Sequence, residues 1–232
     1  MNDQSAANYN IYKFALKPLP YDYSDLEPFI DTETMRLHHN VHTAGYVSGL
    51  NTVLSSLPKF QKIPLEALQV TAMASRLPKE ISTDIIKNSG GVYCHNLFFT
   101  MMQPHESEIE KLFVTEPETE STRLVRSQFG SLANFFHQIK ALALTIYGSG
   151  WAWLLSQPRR RGDPRLRIAT TPNHTIPDLR SFTPLTCLDM WEHAYYLQYN
   201  ANKSAYIDSW CKLINWEQMD MRIRRGNGGG SF

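Results

Sequence analysis

Apolar positions recur at two different periods along this chain, and the change of period divides it. The first residues are polar and then proline-containing, up to Leu19-Pro20-Tyr21, and read as an irregular arm. Asp31-Thr32-Glu33-Thr34 offers side-chain oxygens to cap the orphan amides of a helix start. After it, Met35, Leu37, Val41, Tyr46 and Leu50 fall at helical spacing, with His38, His42 and Tyr46 four apart on one stripe. Leu57-Pro58 ends that helix, because a proline restricts the residue before it. A second helix opens near Pro64 and carries Leu65, Leu68, Ala72 and Leu77. A third is expected just after Ser89-Gly90-Gly91, carrying Val92, His95, Leu97, Phe98 and Met101 and stopping before Pro104.

Residues 103–122 turn polar and acidic, as in His105-Glu106-Ser107-Glu108 and Glu116-Pro117-Glu118, and read as a linker. Leu132, Phe135, Phe136, Ile139, Leu142 and Ile146 then form another amphipathic helix, ended by Gly148-Ser149-Gly150. From there the pattern becomes β-prone: Trp151–Leu155, Leu166–Thr170 and Leu185–Leu188 are strands, the first two joined by the basic loop around Arg159–Arg161. Residues 194–216 return to helix, and Arg222–Phe232 reads as a flexible Gly-rich tail. The expected fold is α+β: an N-terminal α-helical hairpin domain, then a C-terminal α/β domain with a small three-stranded antiparallel sheet. The expected division is an arm over 1–18, the hairpin domain over 19–104, a linker over 105–122, the α+β domain over 123–221 and the tail over 222–232.

Composition removes several function classes. The 232 residues carry 23 Lys+Arg against 22 Asp+Glu, so no single-sign field points to nucleic acid or a membrane surface. No apolar run reaches the roughly 18–20 residues of a membrane span. The first twenty residues show neither an export-signal core nor an Arg-rich transit pattern, so a cytoplasmic location is expected. Three cysteines, Cys94, Cys187 and Cys211, make no disulfide framework and fit a reducing compartment.

Candidate chemistry lies in the eight histidines. His38 and His42 are i,i+4 on one helix, Asp189 and His193 are also four apart, and His95 follows two glycines. Neutral imidazoles with one carboxylate suit a first-row transition metal such as iron, manganese or zinc. The same spacings also suit ordinary surface histidines or an Asp–His ion pair. A di-iron bundle needs paired Glu-x-x-His helices, which the chain lacks, and no Cys-x-x-Cys supports a thiolate zinc site.

These residues resemble a known family. Leu19-Pro20-Tyr21-Asp22-Tyr23, then Leu37-His38-His39 with His42 and Tyr46, is similar to the N-terminal signature of the iron/manganese superoxide dismutases. Gly90-Gly91-Val92-Tyr93-Cys94-His95, Phe129-Gly130-Ser131 and Gly148–Leu154 resemble later blocks of that family, and Asp189-Met190-Trp191-Glu192-His193-Ala194-Tyr195-Tyr196 is the most specific. The resemblance spans residues 17–217. It implies that His38, His95, Asp189 and His193 hold one manganese (preferred) or iron ion per subunit between the two domains, with a solvent molecule as fifth ligand. It implies that the ion cycles between M(III) and M(II), turning two superoxide anions into dioxygen and hydrogen peroxide. Tyr46 and His42 would relay protons. Trp151, Trp153 and Trp191 would wall the metal, and Lys203 would steer the anion. Glu192 and Tyr196 would reach across an interface in a homodimer or homotetramer, Glu192 to the partner's His193 and Tyr196 to the partner's His42. The alternative is a catalytically silent structural or binding protein on the same fold, like the dismutase-like subunits of some ribosomes; loss of a ligand would mark it.

The chain departs from the family pattern in places. The glutamine that bonds the solvent ligand lies four residues before the second ligand in iron-type members, where this chain has Gly91. Manganese-type members carry it in a Pro-Asn-Gln-like segment, which here is Pro172-Asn173-His174, so His174 takes that role by resemblance. Phe99 replaces a usual tryptophan, Cys94 a common asparagine, Val41 a frequent lysine and Lys203 the usual arginine. His39, His105 and His137 receive no role.

Overall fold

The computed structural model describes residues 10–104, 118–159 and 161–227. Its first half is a helical hairpin. Helix α1 (Thr32–Leu37) starts where expected, with the Asp31 carboxylate accepting from the Thr34 amide at 2.8 Å. A single π-helical stretch (His38–Thr43) links it to α2 (Ala44–Ser55). The uniform α-helix expected here is thus interrupted. The Thr43 hydroxyl donates to the His38 carbonyl at 2.8 Å, and the Ala44 amide reaches His39 five residues back. Such wide turns inside helices concentrate at functional sites, and this one carries both His38 and His42.

Helix α3 (Leu65–Ala74) opens after Pro64, and α4 (Lys79–Thr100) after Pro78. The expected start of α4 just after Gly90-Gly91 is too late by thirteen residues: the helix begins at Lys79 and runs straight through both glycines. They are there for close approach. A Cβ on Gly90 would come 1.9 Å from the His174 carbonyl oxygen, and one on Gly91 would come 2.5 Å from the Tyr46 ring.

The second half packs helices around a sheet. Helices α5 (Glu120–Phe129) and α6 (Leu132–Ala143) precede strands β1 (Gly150–Gln157), β2 (Arg165–Pro172) and β3 (Thr183–Asp189). The sheet is antiparallel in the order β2-β1-β3, so the earliest strand is central. Its burial reflects this: Gly150 to Ser156 are all buried. Helix α6 ends at Ala143, short of the glycines expected to stop it.

After β3 the single expected helix is broken into a 3-10 turn (Glu192–Ala194), α7 (Tyr196–Tyr199), α8 (Lys203–Cys211) and α9 (Trp216–Asn227). Asn200, with φ of 50°, turns the chain between α7 and α8. Helix α9 overturns the expectation of a flexible tail from Arg222. Met219 and Ile223 share its buried face, and Arg222 Nε donates to the Pro184 carbonyl of β3. The acidic stretch 105–117, with His105, lies outside the described residues, as do Arg160 and 228–232.

The two halves share one continuous core, in which α4 packs against β3. Main-chain bonds stitch the end of α4 to the start of α9: the Gln103 amide donates to Leu213 and the Asn215 amide to Met101, each at 2.8 Å. The site sits on this seam.

Candidate metal centre

Four elements deliver one donor atom each to a single point. The π-helical stretch supplies His38, the middle of α4 supplies His95, the last residue of β3 is Asp189, and the 3-10 turn holds His193. Their donor atoms all lie within 4.8 Å of one another. Asp189 Oδ2 is the hub, 3.1 Å from His38 Nε2, 3.3 Å from His193 Nε2 and 3.7 Å from His95 Nε2. Register explains the placing of Asp189, because Trp151 on the central strand pairs with it.

Short distance is not hydrogen bonding here. His38 Nε2 and Asp189 Oδ2 are both buried without a hydrogen-bond partner. His95 Nδ1 lies 2.6 Å from the Gly91 carbonyl, which can only accept, so Nδ1 carries the proton and Nε2 presents its lone pair to the cluster. Burial holds His38 down to about 4 and His95 well below the usual histidine range, so both are neutral at physiological pH. Burial alone would raise Asp189, but the His193 and His38 imidazoles crowded around it hold it well below the usual carboxylate range. A fully buried carboxylate thus faces imidazole lone pairs, an arrangement that costs several kcal/mol unless a cation fills it. Three imidazole nitrogens and one carboxylate oxygen match a borderline first-row ion, so the residues fit the metal that the sequence implies.

The surrounding shell is aromatic. Phe99 and Phe98 meet the His38 ring at 5.0 and 5.4 Å, and Trp151 meets His95 edge-on at 5.1 Å. Trp153 lies one layer behind, 6.3 Å from Trp151, and donates to the Thr171 hydroxyl. Trp191 stacks on His174 at 4.4 Å and reaches His193 at 5.7 Å. Its backbone amide donates to Asp189 Oδ1 at 2.8 Å, which leaves Oδ2 for the cluster.

His42 stacks on His193 at 4.2 Å. Tyr46 lies 4.6 Å from His174 and 5.3 Å from His95. Burial, with the Asp189 charge behind it, pushes the Tyr46 phenol up to about 12. His174 is buried, and its orientation can be read from one bond: Trp151 Nε1–H donates to Nδ1 at 3.2 Å. Nδ1 therefore accepts, Nε2 carries the proton, and that Nε2–H is buried with no partner. Burial holds His174 down to about 4, so it stays neutral.

Lys203 and His193 line a cleft of about 570 Å³ with Trp191, Glu192 and Tyr147. Glu192 and Tyr196 are exposed in the single chain. His137 is exposed, as expected of a residue without a role. His39 was missed: it is buried and ties the arm to the helix, with Nε2–H donating to the Lys17 carbonyl at 2.8 Å. Gln69 was missed as well, and it bonds the segment that carries His174. Its signal was present in the sequence, as a polar residue on the apolar stripe of Leu65, Leu68 and Ala72.

Comparison with known proteins agrees with this geometry. Residues 13–103 match the α-hairpin domain of the iron/manganese superoxide dismutases, and 117–222 match their C-terminal domain. A Bacillus cereus protein named superoxide dismutase (Mn) 2 is 34% identical over 207 residues, covering 89% of this chain and 93% of its own. Superoxide dismutase (Mn) of Thermus thermophilus is 34% identical over 206 residues, covering 89% and 95%. That of Pseudomonas aeruginosa is 36% identical over 208 residues, covering 90% and 96%. With both family domains matched in order, each supplying two residues of a largely buried three-histidine, one-aspartate cluster, the chain belongs to the iron/manganese superoxide dismutase family.

Proposed function

We propose that the protein is an active superoxide dismutase in which His38, His95, Asp189 and His193 hold one manganese or iron ion. The observation that carries this is the convergence of four donor atoms, three on buried side chains and two without any hydrogen-bond partner in the protein. When bound, the ion would alternate between its trivalent and divalent states, oxidising one superoxide to dioxygen and reducing a second, with two protons, to hydrogen peroxide.

The chain's own residues set the conditions for that chemistry. Asp189 supplies the one fixed negative charge. His38 and His95, held neutral, add none, which favours a cation without over-stabilising its higher charge state. The unpartnered His174 Nε2–H is a ready donor to a solvent oxygen in the site. An amide in that place cannot titrate; His174 avoids titration because burial keeps it neutral. Tyr46, with its phenol up to about 12, keeps its proton at neutral pH and can give it up only as another arrives. His42, on His193 beside the cleft, completes the proposed relay. Lys203 places a positive charge at the same cleft, where it attracts a small anion despite the near-zero net charge.

The preferred metal is manganese. Gly91 leaves no room for the glutamine of iron-type members, since the Tyr46 ring lies against it, and the relatives compared are named for manganese. Glu192 and Tyr196 are the proposed dimer contacts. The domain division is proposed at the acidic stretch between the two matched regions. A cytoplasmic location is the remaining proposal; no helix among the described residues is long and apolar enough to cross a membrane. Metal-free protein reconstituted separately with manganese and with iron, followed by superoxide decay in stopped flow, tests the reading. Manganese should restore the faster turnover. Restoration by iron alone would reverse the metal preference, and restoration by neither would contradict the function.

A further inference from the structure

Gln69 lies on α3, in the helical domain, yet it spends its side chain on the other domain. It is 2% exposed. Its Nε2 donates to the His174 carbonyl at 2.6 Å and to the Ile86 carbonyl at 2.8 Å, and its Oε1 accepts the Ile176 amide at 3.1 Å. Both amide protons and one acceptor lone pair are therefore used, and two of the three bonds grip the main chain on either side of Thr175. The missing Cβ of Gly90 permits this approach, since it would stand 2.2 Å from Gln69 Nε2 as well as against the His174 oxygen. The His174 ring is held from its other side, by the Trp151 N–H on Nδ1 and by the stack on Trp191. Ring and backbone are thus fixed by different domains.

We propose that Gln69 is the positioning residue for His174: a carboxamide clamp that fixes, from the helical domain, the backbone whose imidazole aims Nε2–H into the metal centre. This rests on the reading of His174 as a donor in that centre. Gln69 touches neither metal ligand nor substrate, so its whole effect should pass through His174. A methionine of similar length would fill the space but leave the His174 carbonyl and the Ile176 amide without partners, while the Ile86 carbonyl keeps its place in the α4 ladder. An asparagine would be one methylene short of the same bonds.

The test is a double-mutant cycle in the metal-loaded full-length protein. Gln69→Met, His174→Ala and the double variant are compared for kcat per bound metal and for the midpoint potential of the ion. Gln69→Met should lower kcat by about 10-fold, within the range for groups that orient ligand partners, and shift the potential in the same direction as His174→Ala. In the His174→Ala background it should change kcat less than about 2-fold and leave the potential still, as expected for residues that act through one another. Equal effects in both backgrounds, or an unmoved potential beside an impaired His174→Ala, overturn the clamp. A His174→Ala variant with unchanged kcat and potential overturns the reading of His174, and the clamp with it. Should Gln69→Met not fold, amide hydrogen exchange of the unaltered metal-loaded protein decides. The Ile176 amide should exchange at least about 100-fold more slowly than that of exposed Asp178, and equal rates overturn the proposal.

Discussion

The eight histidines look alike in the sequence, and among the described ones the ring-nitrogen partners tell several apart. His95 gives its Nδ1 proton to Gly91, His39 gives its Nε2 proton to Lys17, and His174 accepts from Trp151. Each bond settles which nitrogen is left over, and in His95 and His174 the leftover nitrogen belongs to the site. Those bonds were not legible in the sequence, because their partners are backbone carbonyls and a residue 23 positions away. The family resemblance singled out the four residues that the structure brings together, whereas the bare spacings alone left an ion pair open. At this scale the account predicts that Asp189→Asn removes the charge that makes the cavity a cation site. Metal content by elemental analysis should fall below a tenth of the wild-type value. Turnover should fall more than about 100-fold, since even outer partners of a ligand are worth about 10–100-fold. A loaded, active Asp189→Asn variant would contradict it.

Elements hold these residues in place through a few specific contacts. The helices and strands of both domains were legible as periods, but several departures were not, and three of them have a clear physical cause. The π-helical stretch depends on a five-residue step at His38–Thr43 that no apolar period announces. Helix α4 runs through Gly90-Gly91 because its neighbours crowd it, while a sequence shows only the flexibility of glycine. Helix α9 continues to Asn227 because it packs against β3, with Ile223 buried and Arg222 Nε donating to the Pro184 carbonyl. Two predictions follow from such contacts. Gly90→Ala would drive a methyl group into the His174 carbonyl and Gln69; the Tm should drop by well over 5 °C, or folding should fail. Asp220 on α9 accepts the Glu120 and Ser121 amides at 3.1 and 2.7 Å and so caps α5 from another helix. Asp220→Ala should lower stability by about 1–2 kcal/mol in urea unfolding while leaving metal content unchanged.

Across the whole molecule, burial and assembly become the relevant quantities. Several acids are held neutral by burial: Cys211 is pushed up to about 12, and Tyr21 and Tyr93 are raised further still. In the unfolded chain these groups release their protons at lower pH, so above pH 9 the native state binds more protons and stability falls as pH rises. Cys211 alone accounts for up to about 2 kcal/mol by pH 10.5, read as a falling urea midpoint; a midpoint flat from pH 7 to 10.5 would contradict the burial of these groups. Assembly is tested in the same protein by sedimentation velocity. The wild type should run at two or four times the chain mass at micromolar concentration, and Glu192→Ala with Tyr196→Ala should shift it toward the monomer. A wild type that stays monomeric would contradict the proposed interface.

The central claim is that one ion sits where four side chains from four elements converge. X-ray anomalous scattering from crystals of the natively loaded protein, recorded across the manganese and iron absorption edges, tests it most directly. The account predicts one strong peak per chain, bounded by His38 Nε2, His95 Nε2, His193 Nε2 and Asp189 Oδ2, and present at one of those two edges. An absent peak at that point, or a metal bound elsewhere on the chain with this cluster empty, would contradict it.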